Sequence, residues 1–249
     1  MRGSANASAV NTITPKPRLI LFPTAASKLA TLRLERQGFN ISTADQNQQG
    51  NAVLRDAMSR YETLLFVGNQ VRDDCAASMP TLQKQAVSSL SVHVADGAAE
   101  LKQGVSEAYN LSISAERGLQ LSADTTWGAL RGLETMAQIV IEGRDGGFYA
   151  DAQEVRDAPQ YEYRGLMIDT ARHYLSVDTI LQVIEGMAVE KLNLLHWHAV
   201  DDQSFPMEVK PLPKLAKKGA FGKGLWYTAE NVTRVVAFGK SRGVQVKNI

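Results

Sequence analysis

The amino-acid sequence predicts an α/β protein built from two parts, and three patterns support this. Between residues 91 and 123, apolar and polar residues alternate in short runs separated by glycines, which is typical of strands. From Asp124 to Glu142, apolar residues recur at the spacing of a helix. From Arg164 to Val200, two apolar runs flank an amphipathic helix, the pattern of a βαβ unit in a parallel sheet.

The first part is predicted to be a small α+β sandwich domain, residues 18–157, preceded by a flexible arm of residues 1–17. Arg18 to Phe22 reads as a strand because it is apolar and is followed by a proline. Residues 36–51 are rich in Gln, Asn and Gly and are predicted to form a loop or a weak strand. Residues 70–85 show no periodicity and are predicted to be irregular.

Two helices are predicted within the first part. Val53 to Leu65 has one apolar side, and a second helix begins at a cap, Asp124 or Thr125, and continues through Glu142. Trp127 is predicted to be a core residue that holds this second helix on the sheet. The apolar side of the earlier helix consists of Leu54, Ala57, Met58 and Tyr61.

The junction between the two parts has the composition of turns. Arg144 to Gly147 is predicted to be a hairpin turn, and the spacing of its glycines does not match a phosphate-binding loop. Val155 to Glu162 contains Pro159 and is predicted to be the boundary. The second part then comprises residues 158–249.

The second part begins with the βαβ unit around which the chain is organised. Its strands are predicted at Arg164 to Asp169 and at Asn193 to Val200, because both runs are apolar and short. Ser176 can cap the intervening helix, and Asp178 then lies in its first turn, where a negative charge suits the helix dipole.

Polar residues follow both strands of this unit. Because the carboxyl ends of parallel strands lie at one edge of a sheet, these side chains are expected to gather there. From spacing alone, a binding site and an internal salt-bridge network are about equally supported. The residues concerned are Asp169, Arg172, His173, His196, His198, Asp201 and Asp202.

Two of these residues allow an alternative function, a metal-dependent hydrolase. His196 and His198 are two apart on a strand, so both imidazoles point to one face, as in zinc sites. Asp201 could add a carboxylate. Two interior histidines without a metal are the favoured interpretation of this pair, so no metal site is assigned.

At these residues the sequence resembles a known family, the β-N-acetylhexosaminidases of glycoside hydrolase family 20. The segments that carry the resemblance are RGLMIDTARHYLSV, KLNLLHWHAVDDQSFPMEV and YTAENV in the second part, and LSADTTWGALRGLETMAQIV in the first. Together they fall within residues 107–243. The resemblance implies a small α/β domain followed by a (β/α)₈ TIM-type catalytic barrel.

The resemblance also implies a chemistry and residue roles. Family members remove terminal N-acetylglucosamine or N-acetylgalactosamine by substrate-assisted retaining hydrolysis, in which the substrate's acetamido oxygen attacks the anomeric carbon. An Asp-Glu pair assists, and no Asp-Glu dipeptide occurs in this sequence. Arg172 and Asp201 are expected to bind substrate, and Asp169, His196 and His198 to support them. No cofactor is expected, and the family suggests a homodimer.

The second part is expected to be an incomplete barrel that stops in its third strand. After the βαβ unit, Leu212 to Lys218 is predicted to be a basic loop with a short helix, and Thr228 caps a further helix. Val244 to Ile249 is predicted to start the third strand. From Arg164 to the last residue there are 249 − 164 + 1 = 86 residues, whereas such a barrel takes about 250.

An incomplete barrel leads to expectations about behaviour. The chain is expected to be inactive alone, or to be a non-catalytic carbohydrate-binding fragment. It is also expected to expose apolar surface around Leu194, Val200 and Val244, and so to aggregate. A protease-resistant core ending near residue 157 is expected, because the first part has its own strands and helices.

Composition limits the kinds of partner that the chain can bind, and the cellular compartment is indicated only by the family resemblance. The formal net charge is +1, which argues against nucleic acid as the main partner, and no apolar run is long enough to span a membrane.

Cys75 is the single cysteine, so no internal disulfide forms. The amino terminus lacks the apolar core of a signal peptide, whereas family members are lysosomal or secreted. Four N-glycosylation sequons begin at Asn6, Asn40, Asn110 and Asn231.

Overall fold

The computed structural model describes residues 31–43, 51–67 and 86–248. The predicted arm of residues 1–17, the strand at Arg18 to Phe22, the irregular segment of residues 70–85 and Cys75 lie outside these ranges. Within them, no helix is both long enough and apolar enough to cross a membrane.

Within the described ranges, the first part contains two mixed sheets and two long helices. A five-stranded sheet has the order β2-β4-β6-β5-β9, and a four-stranded sheet has the order β3-β1-β8-β7. Helices α1 and α2 pack against each other, and the core lies between them and the five-stranded sheet. The elements are β1 (Thr31–Leu34), β2 (Asn40–Ser42), α1 (Ala52–Leu64), β3 (Ala86–Val87), β4 (Ser89–Asp96), β5 (Tyr109–Ser114), β6 (Gly118–Thr125), α2 (Thr126–Ile139), β7 (Ile141–Glu142), β8 (Phe148–Asp151) and β9 (Gln153–Asp157).

The second part is a three-stranded parallel sheet with helices on one face. The strand order is β10-β11-β12, and Leu195 and Trp197 of the central strand pack against buried Ile180 and Ile184 of the first helix. The predicted βαβ unit is therefore present. The elements are β10 (Gly165–Asp169), α3 (Val177–Val189), β11 (Leu194–His198), α4 (Pro213–Gly219), α5 (Ala229–Ser241) and β12 (Gln245–Asn248).

Helix caps occur where the sequence predicts them. The Ser176 hydroxyl accepts a hydrogen bond from the Thr179 backbone at 3.1 Å, and Asp178 lies in the first turn of α3. The Thr125 hydroxyl accepts from the backbone N–H groups of Trp127 and Gly128 at 3.2 and 3.3 Å. These bonds satisfy N–H groups that have no partner within the helix itself.

The predicted end of α2 is wrong by three residues. The helix ends at Ile139, and Ile141–Glu142 instead form β7, paired with β8. The residue between them, Val140, is extended, and Val and Ile are β-branched residues that suit a strand. The hairpin turn is where it was predicted, closed by Gly143 N–H donating to Gly147 C=O at 2.7 Å.

The prediction of exposed apolar surface is wrong for two of its three residues. Leu194 and Val244 are buried, at 3% and 0% exposed, whereas Val200 is partly exposed as expected. Val244 belongs to the apolar core of the second part, and Leu194 lines a small cavity with Leu101 and Glu107 of the first part. The exposed apolar side chains of the sheet are instead Leu166 and Met167 on β10, at 41% and 57%.

Helix α2 forms a large part of the contact between the two parts and is buried along nearly its whole length. Arg131, in α2, donates from Nη2 to the carbonyl oxygen of Gly243 in the second part at 2.9 Å. Lys191 Nζ, also in the second part, donates to the hydroxyl of Thr135 in α2 at 2.6 Å. The other side of α2 packs on the five-stranded sheet. The second part therefore makes several polar contacts with α2.

We expect the substitution Gly128→Ala in α2 to destabilise the fold by about 1–3 kcal/mol through overpacking. An added Cβ would lie 2.4 Å from the backbone oxygen of Ala108, so the helix would have to move away from the sheet. Gly186→Ala in α3 is the matched control, since its added Cβ meets nothing within 4 Å. Chemical denaturation should show the control to be more stable by about 0.5–1 kcal/mol. Equal behaviour of the two variants would contradict the close packing of α2.

Candidate functional site

Four of the predicted polar residues meet at the carboxyl ends of β10 and β11. Arg172 Nη1 lies 2.9 Å from Asp169 Oδ2, and Arg172 Nη2 lies 2.7 Å from Asp201 Oδ2. His198 Nε2 lies 2.8 Å from the same Asp201 oxygen and 3.0 Å from Arg172 Nη1. We call these four residues the strand-end cluster. A single guanidinium therefore bridges the carboxylate at the end of β10 and the carboxylate that follows β11.

The backbone after β10 folds so that Arg172 returns to the strand end. Asp169 Oδ1 accepts hydrogen bonds from the backbone N–H groups of Ala171 and Arg172, at 3.1 and 3.0 Å. An aspartate side chain that accepts hydrogen bonds from the backbone just after it holds such a tight turn in place. The Thr170 N–H donates to His198 C=O at 2.9 Å, so the ladder between the two strands continues to this point.

The loop after β11 holds Asp201 in an equally defined position. The backbone of Asp201 exchanges two hydrogen bonds with that of Ser204, at 2.9 and 3.2 Å, and Asp201 Oδ1 accepts from the Asp202 N–H at 2.7 Å. A single imidazole nitrogen cannot both donate to Asp201 and accept from Arg172. The shorter distance favours the tautomer in which His198 Nε2–H donates to Asp201.

Both carboxyl groups of the cluster have lowered pKa values. For Asp169 the main cause is the Arg172 backbone N–H, followed by the Arg172 side chain, with desolvation acting in the opposite direction. For Asp201 the main cause is the Asp202 backbone N–H, followed by the His198 hydrogen bond. The cluster therefore keeps two negative charges into mildly acidic solution.

We expect a carbon-detected NMR titration to give pKa values for Asp169 and Asp201 below the usual value of about 3.9. Because the folded-state values are lowered, these groups add stability above the unfolded-state pKa, and that stability is lost as the pH falls through the folded-state values. Arg172→Met should raise the pKa of Asp169 only in part, since the backbone donor remains. A return to the ordinary value in this variant would show that the guanidinium alone lowers the pKa.

Buried residues beneath the cluster hold the strand ends in place, and sequence reasoning did not identify their role. Trp197, fully buried, donates from Nε1 to the Thr170 hydroxyl at 2.8 Å. The Tyr227 hydroxyl donates to Leu175 C=O at 2.6 Å, and its ring stacks on Tyr174 with centroids 4.9 Å apart. The signal available in the sequence was the presence of these aromatic residues in the HWH and YTAENV segments.

His196 stands apart from the cluster. In the strand register it lies opposite Met167 and Lys247, and its ring centroid is 6.4 Å from that of His198. Across the described ranges, no three His, Cys, Asp or Glu side chains form a group that could hold a metal ion. A guanidinium 3.0 Å from His198 Nε2 would also repel a cation there. His173 is exposed and makes no contact that the cluster requires.

The geometry suits recognition of a polar, hydroxyl-rich ligand. The Arg172 side chain is 49% exposed, and its contacts with Asp169 and Asp201 leave at least two of its five N–H donors available. The flanking carboxylates can only accept hydrogen bonds, so donors and acceptors alternate across the cluster. Neighbouring hydroxyl groups of a sugar both donate and accept, and they match this alternation.

Two protein-family models match the chain, one in each of its two parts. Residues 161–248 match the family model "Glycosyl hydrolase family 20, catalytic domain". Residues 13–139 match the family model "beta-acetyl hexosaminidase like". The strand-end cluster lies wholly within the first of these matches.

Curated relatives and solved structures agree with the family models. Beta-hexosaminidase 1 of Arabidopsis thaliana is 37% identical over 80% of this chain and 39% of the relative. Beta-hexosaminidase subunit beta of Homo sapiens is 33% identical over 97% of this chain and 44% of the relative. The Flavobacterium johnsoniae chitobiase structure has a TM-score of 0.69 at 25% identity, covering 88% of this chain and 32% of that one.

The fold and these matches place the chain in the class of the glycoside hydrolase families. The chain spans about two fifths of the length of the curated relatives that it matches, 39% for the mouse alpha subunit. Within the class, the chain belongs to glycosyl hydrolase family 20, the family of the β-N-acetylhexosaminidases.

Proposed function

We propose that the strand-end cluster binds the terminal N-acetylhexosamine of a glycan, in a protein that removes this sugar by substrate-assisted retaining hydrolysis. Arg172 donates hydrogen bonds to hydroxyl groups of the sugar, and Asp201 holds a hydroxyl or orients Arg172 and His198. The observation that carries the proposal is the bridging of Asp169 and Asp201 by Arg172, in the segment that the catalytic-domain family model matches.

The residues of this chain serve binding and orientation in this mechanism. The substrate's acetamido oxygen attacks the anomeric carbon, and an acid protonates the leaving oxygen. Because the 249 residues contain no Asp-Glu dipeptide, no acid is assigned here. The Asp169 and Asp201 carboxylates hold the Arg172 guanidinium through ion pairs, so the sugar meets donors that are already oriented.

The domain organisation proposed for this function has two units. Residues 18–157 form the small α/β domain, and residues 158–249 form the first part of the catalytic (β/α)₈ barrel. The parallel order β10-β11-β12, with helices on one face, supports this assignment. From the family resemblance, we propose a lysosomal or secreted location and a homodimer.

The test is ligand-observed NMR of residues 1–249 with N-acetylglucosamine, and glucose as the control sugar. Saturation transfer to N-acetylglucosamine that is lost in the variant Asp201→Asn/Arg172→Met supports the proposal. The two substitutions remove the charges that face the ligand while keeping similar side-chain volumes. Equal transfer to both sugars, or transfer unchanged in the double variant, would place sugar binding elsewhere.

A further inference from the structure

One buried carboxylate of the first part lies at the amino ends of all three parallel strands. Glu107, two residues before β5, is 7% exposed. Its Oε2 accepts hydrogen bonds from Arg131 Nε and from Arg164 Nη2, both at 2.6 Å, and its Oε1 accepts from Asn193 Nδ2 at 2.7 Å. Both oxygens of the carboxylate are therefore occupied, by three different side chains.

Each of these donors leads to a different strand. Arg164 directly precedes β10, and Asn193 directly precedes β11. Arg131 is in α2, and its Nη2 donates to the carbonyl oxygen of Gly243, two residues before β12, at 2.9 Å. The carboxylate of Glu107 thus connects the small domain to the starting point of every strand in the three-stranded sheet.

The same residues also start the hydrogen-bonded ladder between the strands. Arg164 N–H donates to the Asn193 side-chain oxygen at 3.0 Å, and Asn193 N–H donates to Arg164 C=O at 3.0 Å. Gln245 N–H donates to Asn193 C=O at 2.8 Å. Fixing Arg164 and Asn193 in space therefore fixes the register in which the strands pair.

We infer that Glu107 is a positioning residue that sets the register of β10, β11 and β12 and so brings Asp169 and His198 side by side at the sugar site. Asp169 pairs directly with His198 in that register. A slip of one residue would turn one of these side chains to the opposite face of the sheet. The inference rests on the proposed function, because sugar affinity is one of its readouts.

The charge state of Glu107 suits this role. Burial acts to raise its pKa, but the neighbouring guanidinium groups of Arg131 and Arg164 outweigh burial, so its pKa lies below the ordinary value. The Arg131 side chain is itself only 3% exposed, so it has little access to water as an alternative partner. The ionised carboxylate is thus held between two cations, one from each part of the chain.

The experiment compares Glu107→Gln with Glu134→Gln in the 249-residue chain. Glu134 is also a buried carboxylate, 4% exposed, and it accepts hydrogen bonds from Tyr61 and Gln138, both in the first part. Two readouts are recorded, the affinity for N-acetylglucosamine and the ¹H–¹⁵N position of the Trp197 indole N–H. Because that indole bonds to Thr170 beside the cluster, its signal reports the position of the strand ends.

We expect Glu107→Gln to weaken sugar affinity at least fivefold and to move the Trp197 signal, and Glu134→Gln to do neither. A folded Glu107→Gln variant with an unmoved Trp197 signal would overturn the inference and leave Glu107 as a link between domains only. If Glu107→Gln does not fold, Asn193→Ser removes a neutral link in the same network, and the same readouts decide. If the unsubstituted chain binds no sugar, the proposed function fails, while the Trp197 signal still decides the role of Glu107.

Discussion

Replacing Arg172 with lysine is expected to weaken binding of N-acetylglucosamine by about 10- to 100-fold, the effect of losing one or two charge-assisted hydrogen bonds. Lysine keeps the positive charge but not the planar group that reaches Asp169 and Asp201 at once. Because the Arg172 side chain is 49% exposed, the fold should remain intact. The affinity is measured by ligand-observed NMR, and turnover of an aryl N-acetylglucosaminide gives the same comparison in any active form of the enzyme.

Arg234→Lys provides the control for this substitution. Arg234 pairs with Asp178 at 3.0 Å on the surface of the second part, and both side chains are more than half exposed. The same chemical change at Arg234 should leave the affinity for N-acetylglucosamine unchanged within experimental error. Near-normal binding or turnover by Arg172→Lys would remove Arg172 from the binding role.

Replacing Glu107 with glutamine is expected to lower the free energy of unfolding by about 3–5 kcal/mol, because it leaves buried guanidinium charge without a partner. The Arg131 and Arg164 side chains are 3% and 17% exposed, so water can compensate only in part. Chemical denaturation provides the measurement. Glu154→Gln, which alters a surface pair with Arg117 whose side chains are 47% and 63% exposed, should cost only about 0–1 kcal/mol.

The stabilisation from Glu107 should also depend on pH. Its pKa in the folded state is lowered, so its contribution is fully present above the unfolded-state pKa and is lost as the pH falls through the folded-state value. The difference in stability between the natural chain and Glu107→Gln should therefore shrink in acid. A difference that is constant with pH, or a loss no larger than that of Glu154→Gln, would contradict the charge balance described here.

The sequence predicted those features of the fold that depend on local spacing. The βαβ unit from Gly165 to His198, the Ser176 cap and the gathering of Asp169, Arg172, His198 and Asp201 all follow from periodicity and from the geometry of parallel strands. The family resemblance is confirmed by the comparisons. The assignment of Arg172 and Asp201 to sugar binding stays a prediction.

Features that depend on long-range packing could not be predicted in the same way. Glu107 and Arg131 are charged residues that would ordinarily face water, and only the packing of the second part onto α2 buries them together. For the same reason Leu194 is buried rather than exposed. His196 was grouped with His198 by spacing, but the register of β11 places it below the cluster. Periodicity shows which face a residue occupies, but it cannot show what covers that face.

The polar contact surface of α2 has a consequence for the order in which the chain acquires its structure during synthesis. The two parts have separate apolar cores, and α2 belongs to the one that leaves the ribosome first. Its outward side carries Arg131, Thr135 and Gln138, whose polar groups water can solvate while the later strands are still being made. These polar groups of α2 can therefore stay hydrated until the second part has been made. When Gly243 emerges from the ribosome, Arg131 on α2 is already in place to bind its carbonyl oxygen.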